Sequence, residues 1–343
     1  MGIIYIQKIP SVDEILDAIP MSEELKYLKK QRDMDIQNIF QGKDRRFLLI
    51  IGPCSAHDED AVCDYVSRLA RIQEKVASEI LIIPRIYTNK PRTTGTGYKG
   101  MLHQPNHHKK PDLALGIKAI RNMHIRSFRE SHLSAADEML YPGNYPYLAD
   151  ILAYVAIGAR SVENQQHRLT VSGLDIPVGM KNPTSGDIRV MLDSIYAAQT
   201  PHVFIYNEWE VSTTGNTLAH AVLRGSVDRY GNHSPNYHYD DLVEVIKLYH
   251  ERKLQNPVII VDTNHSNSGK KYKEQIRISK EIMLNRKHAA RLRTAIKGLM
   301  IESYILEGAQ GPDGDEYGRS ITDPCLGWED TERLILDLAE MNG

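Results

Sequence analysis

The chain alternates short, nearly uninterrupted apolar runs with longer segments whose apolar residues recur every three or four positions. Runs such as 46–54 and 80–84 are typical of strands buried on both faces, and 57–75 is typical of an amphipathic helix. Strands are predicted to begin at residues 46, 80, 134, 156, 177, 220, 257 and 297, with helical segments between them. Eight such units predict an α/β fold, the (β/α)8 TIM barrel, whose working residues lie at the carboxyl ends of the strands. An open doubly wound sheet is the alternative, because strand order is invisible in a sequence.

Three segments need separate predictions. Residues 202–213 contain two short apolar pieces and are predicted to form an extra β-hairpin before strand six. A helix is predicted to begin at Tyr147 and to lead to the fourth strand. Residues 1–40 are polar and of mixed charge, and they precede the first strand. We therefore predict an N-terminal extension over 1–40, placed at a subunit interface or on the barrel, and a catalytic barrel over 41–343.

Cationic side chains follow the predicted strands at their carboxyl ends. These cations are Arg85, Lys90, Arg92, Arg160, Lys181 and Arg224. Arginine binds phosphate or carboxylate through a planar fork, and lysine adds a compact charge. Their convergence on one barrel mouth predicts a substrate that carries several negative charges.

The richest of these strand ends is the segment 85–100, which contains four cations, four threonines and three glycines. Its glycines, Gly95, Gly97 and Gly100, match the spacing of a dinucleotide-binding fingerprint. That fingerprint has meaning only between a strand and a helix that opens on it, and the polar, proline-containing residues after Gly100 do not favour a helix. The segment therefore predicts a small-anion site and argues against a nicotinamide cofactor.

A second set of strand-end residues has the chemistry of metal ligands. It consists of Cys54, His265, Glu302 and Asp323, that is, one thiol, one imidazole and two carboxylates. Such a set suits one divalent metal ion, Mn, Fe, Co or Zn, without choosing among them. Each member also has an ordinary structural explanation: a small core residue, a turn former, an arginine partner and a helix cap, respectively. Four together at one barrel mouth favour the metal.

Composition excludes several other classes of protein. The 42 basic and 44 acidic residues leave no surplus of positive charge, which argues against nucleic acid as the partner. No apolar run is long enough to span a bilayer, so no membrane association is predicted. Three cysteines are too few for a disulfide framework and indicate a reducing, cytoplasmic location. The histidines at 103, 107 and 108 resemble a metal cluster, but their polar surroundings favour a solvated loop.

Over nearly all of its length from about residue 40, the chain resembles the class I 3-deoxy-D-arabino-heptulosonate 7-phosphate (DAHP) synthases of the microbial type. The motifs that carry the resemblance are Gly52-Pro53-Cys54-Ser55-Ala56-His57-Asp58, Lys90-Pro91-Arg92-Thr93-Thr94, Ala156-Ile157-Gly158-Ala159-Arg160, Pro177-Val178-Gly179 with Lys181-Asn182, Leu223-Arg224-Gly225, His265-Ser266-Asn267-Ser268, Glu302-Ser303, and Ser320-Ile321-Thr322-Asp323 running into Gly327-Trp328-Glu329-Asp330. The resemblance implies a metal-dependent barrel that condenses phosphoenolpyruvate with erythrose 4-phosphate. This is the entry step of the shikimate pathway to the aromatic amino acids.

The resemblance also implies a role for each matching residue. It assigns the metal to Cys54, His265, Glu302 and Asp323, and phosphoenolpyruvate to Arg85, Lys90, Arg160, Lys181, Arg224 and the backbone of Ala159. Arg92 and Thr93 are expected to hold the phosphate of the aldose. Lys90 is expected to move a proton, and Glu138 to orient a water molecule. A homodimer or homotetramer is the implied assembly.

Two departures from the family pattern keep alternatives open. The loop Gly95-Thr96-Gly97-Tyr98 is one residue longer than the Val-Gly-Trp expected, and 206–220 is shorter than usual. A related phosphoenolpyruvate-dependent synthase that accepts a different aldose is therefore the second hypothesis. A non-catalytic regulatory homologue is the third. The residues expected to bind an aromatic amino acid effector do not match, so feedback inhibition is not predicted.

Overall fold

The computed structural model describes residues 2–92 and 94–343. Its strands are Phe47–Gly52 (β1), Ile80–Pro84 (β2), Ala136–Glu138 (β3), Tyr154–Ile157 (β4), Val178–Lys181 (β5), Val203–Tyr206 (β6), Trp209–Ser212 (β7), Ala219–Leu223 (β8), Ser226–Val227 (β9), His233–Ser234 (β10), Ile259–Asp262 (β11) and Ile296–Glu302 (β12). The helices are Val12–Ala18 (α1), Glu23–Phe40 (α2), Glu59–Val76 (α3), Leu113–Ser131 (α4), Gln165–Val171 (α5), Ile188–Gln199 (α6), Tyr239–Glu251 (α7), Glu274–His288 (α8), Ala290–Ala295 (α9) and Trp328–Asn342 (α10).

Eight of the described strands form one sheet, in the order β2-β1-β12-β11-β8-β5-β4-β3, and neighbours in it are parallel. The two ends of this order meet, because Arg85 after β2 bridges Ala136 of β3. The Ile86 amide donates to the Ala136 carbonyl across the same seam, over 2.9 Å. The sheet therefore closes into a (β/α)8 barrel. The prediction is confirmed, and the open-sheet alternative is wrong.

The strands are apolar on both sides because each faces two different cores. In β1, Leu48 and Ile50 point into a cluster inside the barrel, whereas Phe47, Leu49 and Ile51 join the larger cluster under the outer helices. This two-sided burial explains the near-continuous apolar runs in the sequence.

Helix α2 of the N-terminal segment closes the floor of the barrel, the end at which the strands begin. Its residues Ile36, Ile39 and Phe40 are buried and belong to the same cluster as the inward-facing residues of the strands. The Phe40 ring lies edge-on to the ring of His220 in β8, with 4.7 Å between the ring centroids. Within the extension, helix α2 thus packs on the barrel, whereas residues 2–8 are exposed. Its contact with another subunit stays a prediction.

The extra hairpin is confirmed as the antiparallel pair β6–β7. Asn207 and Glu208, between its strands, both have positive φ angles, 46° and 69°, as a tight type I′ turn requires. The helix predicted to begin at Tyr147 is wrong. The structure has a 3₁₀ helix, Pro142–Tyr147, which ends where the α-helix is predicted to begin, and only residues 148–153 remain before β4, too few for a regular α-helix and the turn into the strand.

Side-chain caps fix where several helices begin after the strands. Asp58, Asp112, Asn164 and Asp187 each accept a hydrogen bond from an amide in the first turn of α3, α4, α5 and α6. Among the described residues, no helix is both long and apolar enough to cross a membrane.

Candidate active site

The carboxyl ends of the barrel strands carry the predicted functional residues. Glu302 and Lys181 are the last residues of β12 and β5, and Arg224 directly follows β8. Cys54 lies two residues beyond β1, and His265 lies three residues beyond β11. Parallel strands place all these ends at the same mouth of the barrel.

Three of the four predicted metal ligands are close together. One ligand atom each from Cys54, Glu302 and Asp323 lies within 4.8 Å of the others. The Nε2 atom of His265 is 4.0 Å from Oε1 of Glu302, which places the imidazole beside the same group. His265 adopts a φ angle of 46°, an uncommon conformation for a residue with a side chain, and such conformations are frequent at functional sites.

The donor set fits a divalent transition metal in both chemistry and position. Burial raises the pKa of the Cys54 thiol, so a bound cation is needed to hold it as the thiolate that coordinates metals. The cation now closest to it is Lys90, whose Nζ lies 3.0 Å from the Cys54 Sγ and 2.7 Å from its carbonyl oxygen.

Glu302 is held as a buried carboxylate. Burial opposes its charge, but the positive charges of Arg85, His265 and Lys90 outweigh this and lower the pKa of Glu302 to about 2. Nη2 of Arg85 lies 2.9 Å from Oε1 of Glu302, and the Asn264 side chain donates to Oε2 over 2.6 Å. The carboxylate is therefore both charged and fixed in direction before any ligand arrives.

The buried cations near this group are only partly neutralised. Lys181 donates to Asp262 over 2.8 Å, whereas the Nη1 atom of Arg224 is buried with no hydrogen-bond partner among the described residues. Burial lowers the pKa of Arg224, and the nearby charge of Arg160 adds to this effect. Two neighbouring guanidinium groups, one of them with an unused buried donor, form a site that is short of an anion.

The remaining predicted substrate residues lie around the rim. Arg160 is exposed, and Ala159 is half-buried beside it. Arg92 is half-buried and donates from Nε to the carbonyl of Tyr98 over 2.8 Å, which leaves its outer nitrogens available. Thr93, the other predicted aldose residue, lies outside the described residues.

Glu138 ends β3 and is buried against the following strand. A Cβ atom added at Gly158 would lie 2.3 Å from Oε1 of Glu138, so glycine is required at that position for the carboxylate to stay where it is. The glycine of the motif Ala156–Arg160 therefore makes room for a predicted catalytic side chain.

Two residues that orient the site were not given roles from the sequence. Asp262 lies 2.8 Å from Nδ1 of His265 as well as from Lys181, and these cations lower its pKa although burial would raise it. Asn264 fixes one oxygen of Glu302. Asp262 could have been found by its position at the end of a very apolar strand. Asn264 carries no comparable signal.

Comparison with known proteins gives a consistent result. The family model of the DAHP synthetase I family matches residues 21–335. The chain is 39% identical to the phospho-2-dehydro-3-deoxyheptonate aldolase of Haemophilus influenzae, over 97% of this chain and 93% of that protein. It is 37% identical to the Phe-sensitive enzyme of Escherichia coli K12, over 95% of this chain and 92% of that protein.

A solved structure agrees with the sequence relatives. The phospho-2-dehydro-3-deoxyheptonate aldolase from Francisella tularensis superposes with a TM-score of 0.91 at 31% identity, covering 99% of this chain and 98% of the other. Fold, strand-end residues and relatives thus lead to one conclusion: this chain belongs to the DAHP synthetase I family.

Proposed function

We propose that the protein condenses phosphoenolpyruvate with erythrose 4-phosphate to give DAHP and inorganic phosphate, with the help of one divalent metal ion. One observation carries the proposal. The same barrel mouth contains buried cations that lack an anionic partner and a group of side chains suited to binding a metal ion. Family membership supports the same reaction, because the relatives are named for the aldolase that handles this seven-carbon product.

Phosphoenolpyruvate carries two anionic groups, a carboxylate and a phosphate, and is small enough to reach the buried cations as well as those at the rim. We assign it to Arg85, Lys90, Arg160, Lys181 and Arg224, with the Ala159 backbone amide assisting. The Nη1 donor of Arg224 has no partner among the described residues, and an unsatisfied buried donor costs about 1–3 kcal/mol. An anion that accepts a hydrogen bond from Nη1 would remove this cost, which favours anion binding. Arg92 and Thr93, farther out in the loop after β2, are assigned to the aldose phosphate.

Cys54, His265, Glu302 and Asp323 are the residues that would hold the metal, be it Mn, Fe, Co or Zn. When bound, such an ion acts as a Lewis acid that polarises a carbonyl oxygen. Asp262 would keep the His265 ring oriented through the 2.8 Å contact with Nδ1, which leaves Nε2 directed toward Glu302.

The side chains would divide the proton chemistry as follows. As C3 of the enol forms a bond to the aldehyde carbon, the aldehyde oxygen gains a proton, and Lys90, whose ammonium lies 3.0 Å from the Cys54 Sγ, is the side chain we assign to donate it. Burial opposes the charge of Lys90, but Cys54 and the carboxylates of Glu302 and Glu138 raise its pKa, so the ammonium is present to donate. Glu138 would orient the water that adds to C2, and the proton that this water loses would restore the Lys90 ammonium. The C2–O bond to phosphate then breaks as the C2 hydroxyl gives its proton to the departing phosphate and becomes the ketone.

The test is to measure phosphate release and enol consumption with both substrates, once with added Mn²⁺ and once with a chelator. Chelator-sensitive turnover that returns with metal is the expected result. A panel of aldose phosphates under the same conditions identifies the acceptor. Turnover that is unaffected by exhaustive chelation would overturn the metal assignment, and turnover only with another aldose would overturn the assignment of erythrose 4-phosphate.

A further inference from the structure

A second group of metal-type side chains lies at the rim of the barrel, apart from the site just described. It consists of His107 and His108, from the loop between β2 and α4, and Asp315, from the loop between β12 and α10. One ligand atom from each lies within 4.8 Å of the other two. We call this group the rim histidine cluster.

Both imidazoles of the cluster approach the same carboxylate oxygen. Nε2 of His108 is 2.7 Å from Oδ1 of Asp315, and Nε2 of His107 is 3.6 Å from the same atom. The two rings are tilted by 40° with their centroids 4.0 Å apart. Two ring nitrogens and one carboxylate oxygen therefore converge on a single small volume.

The His107 ring is the informative member of the cluster. Its side chain is only 15% exposed, and its Nε2 atom is buried with no hydrogen-bond partner among the described residues. A buried polar atom without a partner requires an explanation, and a binding site for an ion is one of the ordinary ones. The distance of 3.6 Å to Asp315 is too long for a hydrogen bond but suits two ligands of one metal ion.

We propose that the rim histidine cluster binds a divalent transition metal of the zinc type, in addition to the ion proposed for the catalytic mouth. Two imidazoles and a carboxylate are favourable ligands for Zn²⁺ or Co²⁺, while Mg²⁺ prefers oxygen ligands and retains its water. Water fills the remaining positions, because His108 and Asp315 are 44% and 76% exposed at the solvent side.

The local charges are compatible with a bound cation. Lys109 and Lys110 follow the histidines but are exposed, so solvent and salt screen their repulsion. The ring of His57 lies 5.7 Å from that of His107, and burial lowers the pKa of His57, which keeps this neighbour neutral. The carboxylate of Asp315 thus meets no buried competing cation in the cluster.

Metal binding at this position would join two loops that border the catalytic mouth. His108 and Asp315 are separated by 207 positions in the sequence. The first loop also carries Lys90 and Arg92, and the second carries Asp323. The ion would therefore restrain the rim without contacting the reacting groups.

Cobalt binding distinguishes the two proposed sites, since only the catalytic set contains a thiolate. Chelator-treated protein is dialysed against Co²⁺, and bound cobalt is measured together with the thiolate-to-metal charge-transfer absorption. We expect two Co²⁺ ions per chain, only one of which gives the thiolate band. His107→Asn should bind one ion and keep the band, whereas Cys54→Ala should lose the band and keep the other ion.

Two matched controls accompany these variants. His103→Asn removes a histidine from the same loop that packs on Tyr141, and Asp313→Asn removes an exposed carboxylate two positions from Asp315. Both should retain two ions. Asp315→Asn should weaken the second ion by about tenfold or more, because even the loss of a group that only supports a ligand costs about 10–100-fold in metal affinity.

If the half-buried His107 cannot be replaced without unfolding the protein, Asp315→Asn still tests the site, because Asp315 is exposed and its replacement should not affect folding. One cobalt per chain in the unsubstituted protein, with the thiolate band, would overturn the second site. Equal affinities in Asp315→Asn and Asp313→Asn would overturn it as well. One cobalt ion per chain without the thiolate band in the unsubstituted protein, lost again in His107→Asn, would contradict the catalytic metal site and support the rim site.

Discussion

Strand β8 connects two chemically opposite regions of the same barrel. Near its start, at the floor, the buried ring of His220 donates from Nδ1 to the Leu218 carbonyl and accepts from the Tyr154 hydroxyl, each over 2.9 Å. Just past its end, at the mouth, Arg224 is also buried, yet one of its nitrogens has no partner among the described residues. Only a few residues of one strand separate a satisfied neutral group from an unsatisfied cation.

The difference shows that the floor stabilises the fold, whereas the mouth keeps buried charges that cost stability. The floor is an apolar cluster covered by α2, and the ring nitrogens of His220 and the hydroxyl of Tyr154 are paired there. The mouth gathers cations and carboxylates whose charges are partly balanced against one another, as in the pairs Arg85–Glu302 and Lys181–Asp262. Substitutions at the floor should therefore change stability, and substitutions at the mouth should change turnover.

The largest effect is expected for Cys54→Ala at the mouth. Metal-dependent turnover should fall by at least about 10³-fold, because a Lewis acid contributes several kcal/mol to the stabilisation of the developing charge. Cys63→Ala, which removes a buried cysteine from α3, is the matched control and should retain turnover. Full activity of metal-loaded Cys54→Ala would contradict the assignment.

Phe40→Ala tests the floor. The free energy of unfolding should fall by about 3 kcal/mol, since a buried aromatic ring between α2 and the barrel interior is lost. Denaturant titration measures the change, and turnover per folded molecule should stay close to that of the unsubstituted protein. Tyr27→Ala, on the exposed face of the same helix, should change stability little.

The floor histidine should make stability depend on pH. Burial lowers the pKa of His220 from 6.5 to about 4, so the unfolded chain binds this proton more readily than the folded protein does. Its contribution is complete above pH 6.5 and is lost as the pH falls toward 4. Between pH 7 and pH 5 this amounts to about 2 kcal/mol.

His220→Gln should remove that part of the pH dependence. Unfolding free energies measured at pH 7 and pH 5 should then differ by about 2 kcal/mol less than in the unsubstituted protein. His250→Gln, a change at an exposed histidine of α7, should leave the difference unchanged. An identical pH dependence in both variants would contradict the buried neutral state of His220.

The smallest effect is expected at the exposed edge of the mouth. Arg160→Gln should raise KM for phosphoenolpyruvate about tenfold, the value of one charged hydrogen bond in partial contact with water. Steady-state kinetics measures it, with the exposed Arg189→Gln on α6 as the control. A larger rise than for Arg224→Gln would show that the rim, and not the buried cation, contributes most of the binding.

The barrel and its mouth could be predicted because both leave a periodic signal. Strands buried on two faces are uniformly apolar, so the strand starts were located to within about two residues, and the polar residues after them followed directly. The helix predicted to begin at Tyr147 was wrong because β4 already begins at Tyr154, which leaves only residues 148–153 for a helix and a turn. Asn264 and the partnership of His107 with Asp315 were missed because they depend on which loops meet in space.

The plug that α2 forms at the floor has a kinetic consequence for the proposed reaction. With one end of the barrel closed by Ile36, Ile39 and Phe40, every molecule enters and leaves by the mouth. A ligand on the buried cations Lys181 and Arg224 lies below one held at the rim by Arg92, so the deeper substrate must arrive first and the shallower one last. Initial-rate patterns should therefore be those of a compulsory-order mechanism, with the aldose unable to bind productively ahead of phosphoenolpyruvate.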